Sequence, residues 1–428
     1  MKHLLKKIII MVLTLEARLI LHKYKPKIVG ITGSVGKTST KDAIAAVLSG
    51  KFIVRKSQKS FNSEFGLPLT ILGCDTAWNN PIGWLKNILK GLWVIVVPHA
   101  YPQWLVLEMG VDHPGDMKKM ASWVTLDIAV ITHIGNLPVH VEFFPSIESL
   151  VEEKAKILSA LKSKGLAILT YDDENVLELK GKTKSRVCTF GLNEEADIHA
   201  GYYNIMYGGN DLPTGINFKV LFNGNVAPVT LQGILGKQFI YPILAAFAVG
   251  MSQGLQIVEM TDAIDSLVTS PGRMRVLEGS KESIVIDDTY NSSPIAVVEA
   301  LDALKTITSQ GRKIAVLGDM AELGAYSSEA HTNIGKMCSG IIDILLTVGS
   351  LSRDTAEAAM AHGVKAVRTF DNSTEAGEYL SKILQKNDIA LVKGSQRVRM
   401  EKVVEKIMAH PEHKQNLLVR QDEAWGKK

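Results

Sequence analysis

Short apolar runs bounded by glycine or charge recur along the chain and predict buried strands. They are Lys27–Thr32, Trp104–Glu108, Asp127–Thr132, Ser283–Asp288, Lys313–Leu317, Ile344–Val348 and Ile389–Val392. Between them the apolar positions recur at helical spacing. Ala43, Ile44, Val47 and Leu48 share one face of a helix that follows the first strand, and Glu152–Leu158 reads as a helical run carrying Lys154 and Lys156. Strands alternating with helices predict an α/β fold with a mostly parallel sheet. The turn Ser270-Pro271-Gly272 marks a hinge, dividing residues 28–271 from a Rossmann-like part, 272–428.

Two segments do not fit this alternation. Residues 1–27 read as a basic amphipathic helix, with Lys2, Lys6, Lys7, Arg18, Lys23, Lys25 and Lys27 against one acid, Glu16, around an apolar run from Ile8 to Leu21. Residues 74–104 hold Trp78, Trp84, Trp93 and Trp104, with Leu85, Ile88, Leu89 and Leu92 at helical spacing and Lys86 and Lys90 interleaved. Two readings stay open for each. The segment packs into the protein core, or it lies in a membrane interface with its lysines toward anionic lipid, making residues 1–27 and 78–104 a peripheral membrane contact.

Composition narrows the classes. With 428 residues the chain is long enough for two or three domains, and 46% hydrophobic against 21% charged residues excludes a disordered chain. No apolar stretch reaches the roughly 20 residues of a spanning helix, which excludes a polytopic membrane protein. A net charge of +4 offers nothing toward nucleic acid. Three scattered cysteines argue against disulfides or zinc and for a reducing cytoplasm, with contact at the inner membrane face as the interfacial reading.

Chemistry enters at Gly33-Ser34-Val35-Gly36-Lys37-Thr38-Ser39, set between the first strand and the first core helix. That is the context of a phosphate loop. Gly33, Ser34, Gly36 and Ser39 bring backbone N–H groups to phosphate oxygens, Lys37 reaches the β/γ-phosphates, and Thr38 offers its hydroxyl to Mg²⁺. Ile31 stands where the longer pattern has glycine, leaving the shorter T-G-x-x-G-K-T-[ST] form. Glu108 ends an apolar strand and so projects at the carboxyl edge of the sheet, where α/β ligands bind.

Taken in order, Gly30–Ser39, Leu107–Gly110, Ile131–Gly135 with His140, Glu153-Lys154, Gly272–Met274, Ile286–Asn291, Val316–Gly324 and Val392–Ser395 resemble the Mur ligase family. The likeness is greatest to the members that add D-Ala-D-Ala. It implies a central P-loop ATPase domain, a carboxy-terminal amine-substrate domain, and a cytoplasmic, monomeric ligase of peptidoglycan precursor synthesis. ATP phosphorylates a carboxylate of a muramoyl-peptide acceptor, and an amine displaces the phosphate. It further implies two Mg²⁺ ions held by Thr38, Glu108, His140 and a carbamylated Lys154, with Arg273 on the γ-phosphate. Asp288 would serve the ribose or orient Arg273, and Asn291 the nucleotide or the amine.

Three departures from the family pattern stand out. The His140 loop is about two residues longer, His133 stands in place of Asn, and Gln238 replaces a His while Pro242 replaces the Asn that usually meets the base. Family members of this type carry a UDP-gripping domain first, whereas 27 residues precede the first strand here. A different or lipid-linked acceptor, as in poly-γ-glutamate synthetase-like enzymes, is therefore the alternative ligase reading. A non-catalytic ATP-binding protein and a P-loop switch are the readings of other classes.

Overall fold

The computed structural model describes residues 2–58, 64–77, 80–138, 140–209, 212–421 and 425, with side chains from residue 6 onward. Its strands are β1 (Lys27–Thr32), β2 (Val54–Lys56), β3 (Trp104–Glu108), β4 (Leu126–Ile131), β5 (Leu161–Thr170), β6 (Arg186–Gly191), β7 (Ile198–Tyr207), β8 (Pro213–Phe222), β9 (Asn225–Gln232), β10 (Arg275–Gly279), β11 (Ser283–Asp288), β12 (Lys313–Gly318), β13 (Ile344–Val348), β14 (Ala366–Phe370) and β15 (Ile389–Lys393).

They form two sheets. The first runs β2-β3-β1-β4-β5-β6-β7-β8-β9 and is parallel as far as β7. Its central strands are buried on both faces, which is why they read as unbroken apolar runs. Val29, Ile31, Val106 and Val130 face one core with α2 (Lys37–Ser49) and the helix Ile240–Ser252. Ile28, Leu105, Leu107 and Ile131 face a second core that holds Leu13, Leu67, Met117 and Leu150. Strands β7–β9, outside the predicted set, form an antiparallel meander. Its β8–β9 turn uses Asn223 and Gly224, both at positive φ (46° and 75°), as a tight hairpin requires. The second sheet, β10-β11-β15-β12-β13-β14, is parallel except at β10 and begins just past Gly272.

The second core is completed by α1 (Lys2–Tyr24), α3 (Gly66–Leu72), α4 (Pro81–Val96), α5 (Asp116–Ala121) and α6 (Ile147–Ala155). Core packing describes only one side of α1 and α4. Leu13, Ala17 and Ile20 are buried, while Ile8, Met11, Leu15 and Leu19 face outward. On α4, Val94 is buried and Ile88 half-buried, but Leu85, Leu89, Leu92 and Trp93 are exposed. Trp104 lies in the core, and Trp78 lies outside the described residues. Among the described residues no helix is long and apolar enough to cross a membrane.

Candidate active site

After β1 the chain turns through Gly33 (φ 143°) and Gly36 (φ 85°) into α2. A side chain at Gly33 would overlap Thr132, so the loop can pass this close to β4 only as glycine. The loop is pinned from β4. The N–H groups of Ser34 and Val35 donate to the His133 carbonyl at 2.8 and 3.1 Å, and the Thr132 hydroxyl donates to the Val35 carbonyl at 2.7 Å. No side chain caps α2, which leaves the positive end of the helix open to an anion.

Two lysines converge on this loop, Lys37 half-buried and Lys154 buried. Lys37 Nζ donates to the carbonyls of Gly33 (2.9 Å) and Ser34 (3.1 Å), and Lys154 Nζ, from α6, donates to the same Gly33 carbonyl at 3.1 Å. Burial lowers the Lys37 pKa; Glu108 and Asp112 partly restore it, and Arg273 lowers it again. Burial, then the neighbouring Lys37 charge, brings Lys154 down to about 7 against the pull of Asp112. A bound polyanion would offset the cost of holding ammonium groups here, so the loop is suited to receive one. Lys156, by contrast, turns away to Glu153 Oε2, while Glu153 Oε1 accepts the Met117 N–H of α5 at 2.9 Å. Lys154 is therefore the lysine of this helix that reaches the loop.

Glu108, last residue of β3 and 2% exposed, lies in register beside Ile31 of β1, which places it over the phosphate loop. It accepts the Thr38 hydroxyl at 3.0 Å. A hydroxyl and a carboxylate converging beside a phosphate loop are hard oxygen donors suited to Mg²⁺, which keeps several waters and phosphate oxygens as its remaining ligands. Among the described residues no cluster of three or more His, Cys, Asp or Glu forms a metal cage. The Thr38 hydroxyl and Glu108 carboxylate suit a metal that also takes phosphate oxygens.

His140 takes a left-handed backbone (φ 68°) and spans the two sheets' territories: its Nδ1 lies 2.9 Å from Glu322, beyond β12, and its Nε2 3.5 Å from Asp112. The His140 partner holds the Glu322 carboxyl below the usual range. Across the cleft, Arg273 lies 4.2 Å over the Tyr290 ring, its buried Nε without a protein partner. Asp288, at the edge of the cleft, is held by Lys393 and Met274. Its neighbour in register on β15 is Lys393, whose Nζ donates to it at 2.6 Å and to the Asn291 carbonyl at 3.0 Å, and its other oxygen accepts the Met274 N–H. Next to it, buried Asp287 accepts the N–H of Gly272 and the Thr289 hydroxyl, which ties the hinge turn to β11.

Ser34, Gly36, Lys37, Thr38, Ser39, Glu108, His140, Arg273, Asp288 and Asn291 all border one cleft of about 320 Å³, with Gln238 and Pro242 in its wall. Gly33 and Lys154 lie beneath its floor. Sequence reasoning passed over Asp112 and gave no role to Lys393. Asp112 follows the end of β3 by four residues, and an acid so near a strand's carboxyl end is a usable signal. Nothing linear pairs Lys393 with Asp288, because strand order creates that pair. His331 is an internal brace, its Nε2 accepting the Met320 N–H at 3.0 Å.

Residues 31–250 match the family model of the Mur ligase middle domain, and residues 272–396 that of the Mur ligase, glutamate ligase domain. The UDP-N-acetylmuramoyl-tripeptide–D-alanyl-D-alanine ligase of Bacillus subtilis (strain 168) is 28% identical over 397 residues, which cover 92% of this chain and 79% of the relative. The enzyme of the same name from Escherichia coli (strain K12) is 26% identical, covering 88% and 76%. In three dimensions the chain is similar to the MurF ligase of Thermotoga maritima in complex with ADP, with a TM-score of 0.76 at 27% identity, covering 93% of this chain and 83% of that one.

Proposed function

The chain belongs to the Mur ligase family, and from that premise we propose that it joins D-Ala-D-Ala to the carboxylate of a muramoyl-peptide acceptor at the expense of ATP. The observation that carries this reading is the convergence of Lys37, Thr38, Glu108 and Lys154 on one glycine loop, faced across a single cleft by Arg273 and Asn291.

The reaction brings an anionic carboxylate against an anionic γ-phosphate, so its barrier is largely electrostatic. Lys37 and the open end of α2 hold the phosphates. Arg273, on the far side of the hinge, meets the γ-phosphate when the halves are together. The acceptor carboxylate oxygen takes the phosphoryl group and ADP leaves; the amine nitrogen then forms the C–N bond, loses a proton, and phosphate departs. The contact of His140 with Glu322, at 2.9 Å between residues of the two halves, supports the closed arrangement that keeps water from the acyl phosphate.

Thr38 and Glu108 would hold one Mg²⁺, and Lys154 with His140 would serve a second. Mg²⁺ there supplies charge neutralisation between the reacting oxygens. As an ammonium, Lys154 cannot coordinate a cation. With a pKa near 7 a large share of it is free amine at neutral pH, the form that takes up CO2 to become an anionic carbamate.

The test is ADP release measured with acceptor and D-Ala-D-Ala supplied singly and together, with product mass recorded. The expected result is release that needs both, and a product heavier than the acceptor by the dipeptide less water. Lys37→Ala should lower turnover on the order of 100-fold or more. ADP release indifferent to the amine would refute the proposal, and turnover with glutamate in place of the dipeptide would favour the poly-γ-glutamate synthetase-like reading.

A further inference from the structure

On the outside of the large sheet, α1 and α4 leave an apolar surface that belongs to neither core nor cleft. On α4 the positions 82, 85, 89, 92 and 96 repeat at three- and four-residue intervals, the stripe by which a helix ordinarily packs, yet here they face outward: Ile82 is 77% exposed, Leu89 57% and Val96 74%. On α1, Ile8, Met11, Leu15 and Leu19 form a second outward stripe. A surface of this extent on two adjoining helices marks an interaction site.

The two helices are held rigidly to each other. Gly91 of α4 sits against the Glu16 carboxylate of α1, at a spacing that leaves no room for a Cβ. Lys23 Nζ donates to the Ile95 carbonyl at 2.7 Å and the Tyr24 hydroxyl to the Val94 carbonyl at 2.9 Å, closing the end of α4 onto α1. The stripes are thus built into the fold.

Charge selects the occupant. α1 carries five basic residues against the buried Glu16, and α4 carries two with no acid, a joint net charge of +6. The whole chain is +4, so everything outside these helices sums to −2. Lys7, Arg18 and Lys86 are exposed along the stripes, and Trp93 lies among the apolar residues as aromatic side chains do at a water–lipid boundary. A second copy of the chain would set like charges face to face. We propose that α1 and α4 form a preassembled docking surface for an anionic lipid bilayer, with the apolar stripes entering the headgroup boundary and the basic residues meeting lipid phosphates. The chain rests on the bilayer without crossing it.

Flotation of the full chain with phosphatidylglycerol vesicles tests this, with phosphatidylcholine vesicles as control. Wild type should float with the anionic vesicles and release as salt rises. Leu85→Asp/Leu89→Asp, at exposed positions far from the cleft, should weaken binding roughly tenfold or more while ADP release in solution is unchanged. Should that variant misfold, Lys7→Glu/Lys86→Glu reads the electrostatic half and should also weaken binding. Failure of wild type to float, equal binding by the variants, or a concentration-dependent dimer in sedimentation velocity that L85D/L89D dissolves would each overturn the proposal.

Discussion

Lys37 and Lys154 donate to a single carbonyl, that of Gly33, and this shared acceptor makes their protonation interdependent. Burial, and after it the neighbouring Lys37 charge, makes the Lys154 ammonium costly and brings it down to about 7. The direction matters for chemistry: below pH 7 Lys154 is increasingly an ammonium, and above it increasingly the amine that CO2 requires. On the proposed carbamylation of Lys154, activity at pH 8 should fall roughly tenfold or more in CO2-stripped buffer and return with bicarbonate, the loss expected for a missing metal ligand. Lys154→Arg should be slow and indifferent to bicarbonate, and bicarbonate labelled with carbon-13 should give a carbamate resonance that the variant lacks. The phosphate loop itself was legible in the sequence because its glycines, lysine and threonine act through local backbone geometry. Whether Lys154 or its neighbour Lys156 reached the loop was not, since only the packing of α6 beside α5 turns one inward and the other out.

At the scale of elements, the α1–α4 seam has an internal weakness. Glu16 is 3% exposed and neither carboxylate oxygen has a hydrogen-bond partner, so burial raises its pKa to about 7. In the unfolded chain the group ionises near 4.5. Between these values the folded state holds the extra proton, so the seam loses stability as pH rises from 4.5 through 7. Glu16→Gln should flatten that dependence and stabilise the protein at pH 8 on the order of 1 kcal/mol, read from denaturant midpoints at pH 5 and pH 8. The apolar run of residues 8–21 and the helical spacing of 85–92 pointed to both helices but not to the side each would bury. α1 and α4 are apolar around most of their circumference, and a pattern without a polar face does not select one.

For the whole molecule, the decisive feature is that the ends of β1 and β3 open on the same cleft as the ends of β11 and β15. A ligand bound there touches both sheets and should stabilise them together. A non-hydrolysable ATP analogue with Mg²⁺ at about 100 times its Kd should add about 2.7 kcal/mol, seen as a rise in melting temperature. Lys37→Ala should lose most of that rise while keeping the melting temperature of the free protein, and L85D/L89D should keep both. What the sequence determined by itself were features encoded in neighbouring residues: the buried strands, the glycine loop with its helix, the turn at Gly272, and the family to which their order belongs. Tertiary structure alone decided what depends on non-neighbours: the Asp288–Lys393 pair across adjacent strands, the approach of Asp112 and Glu322 to His140, and the outward face of α4. The physical reason is that backbone preference and hydrophobic period act over a few residues. Side-chain partners separated by up to about 180 positions, as His140 and Glu322 are, are chosen only by strand order and packing.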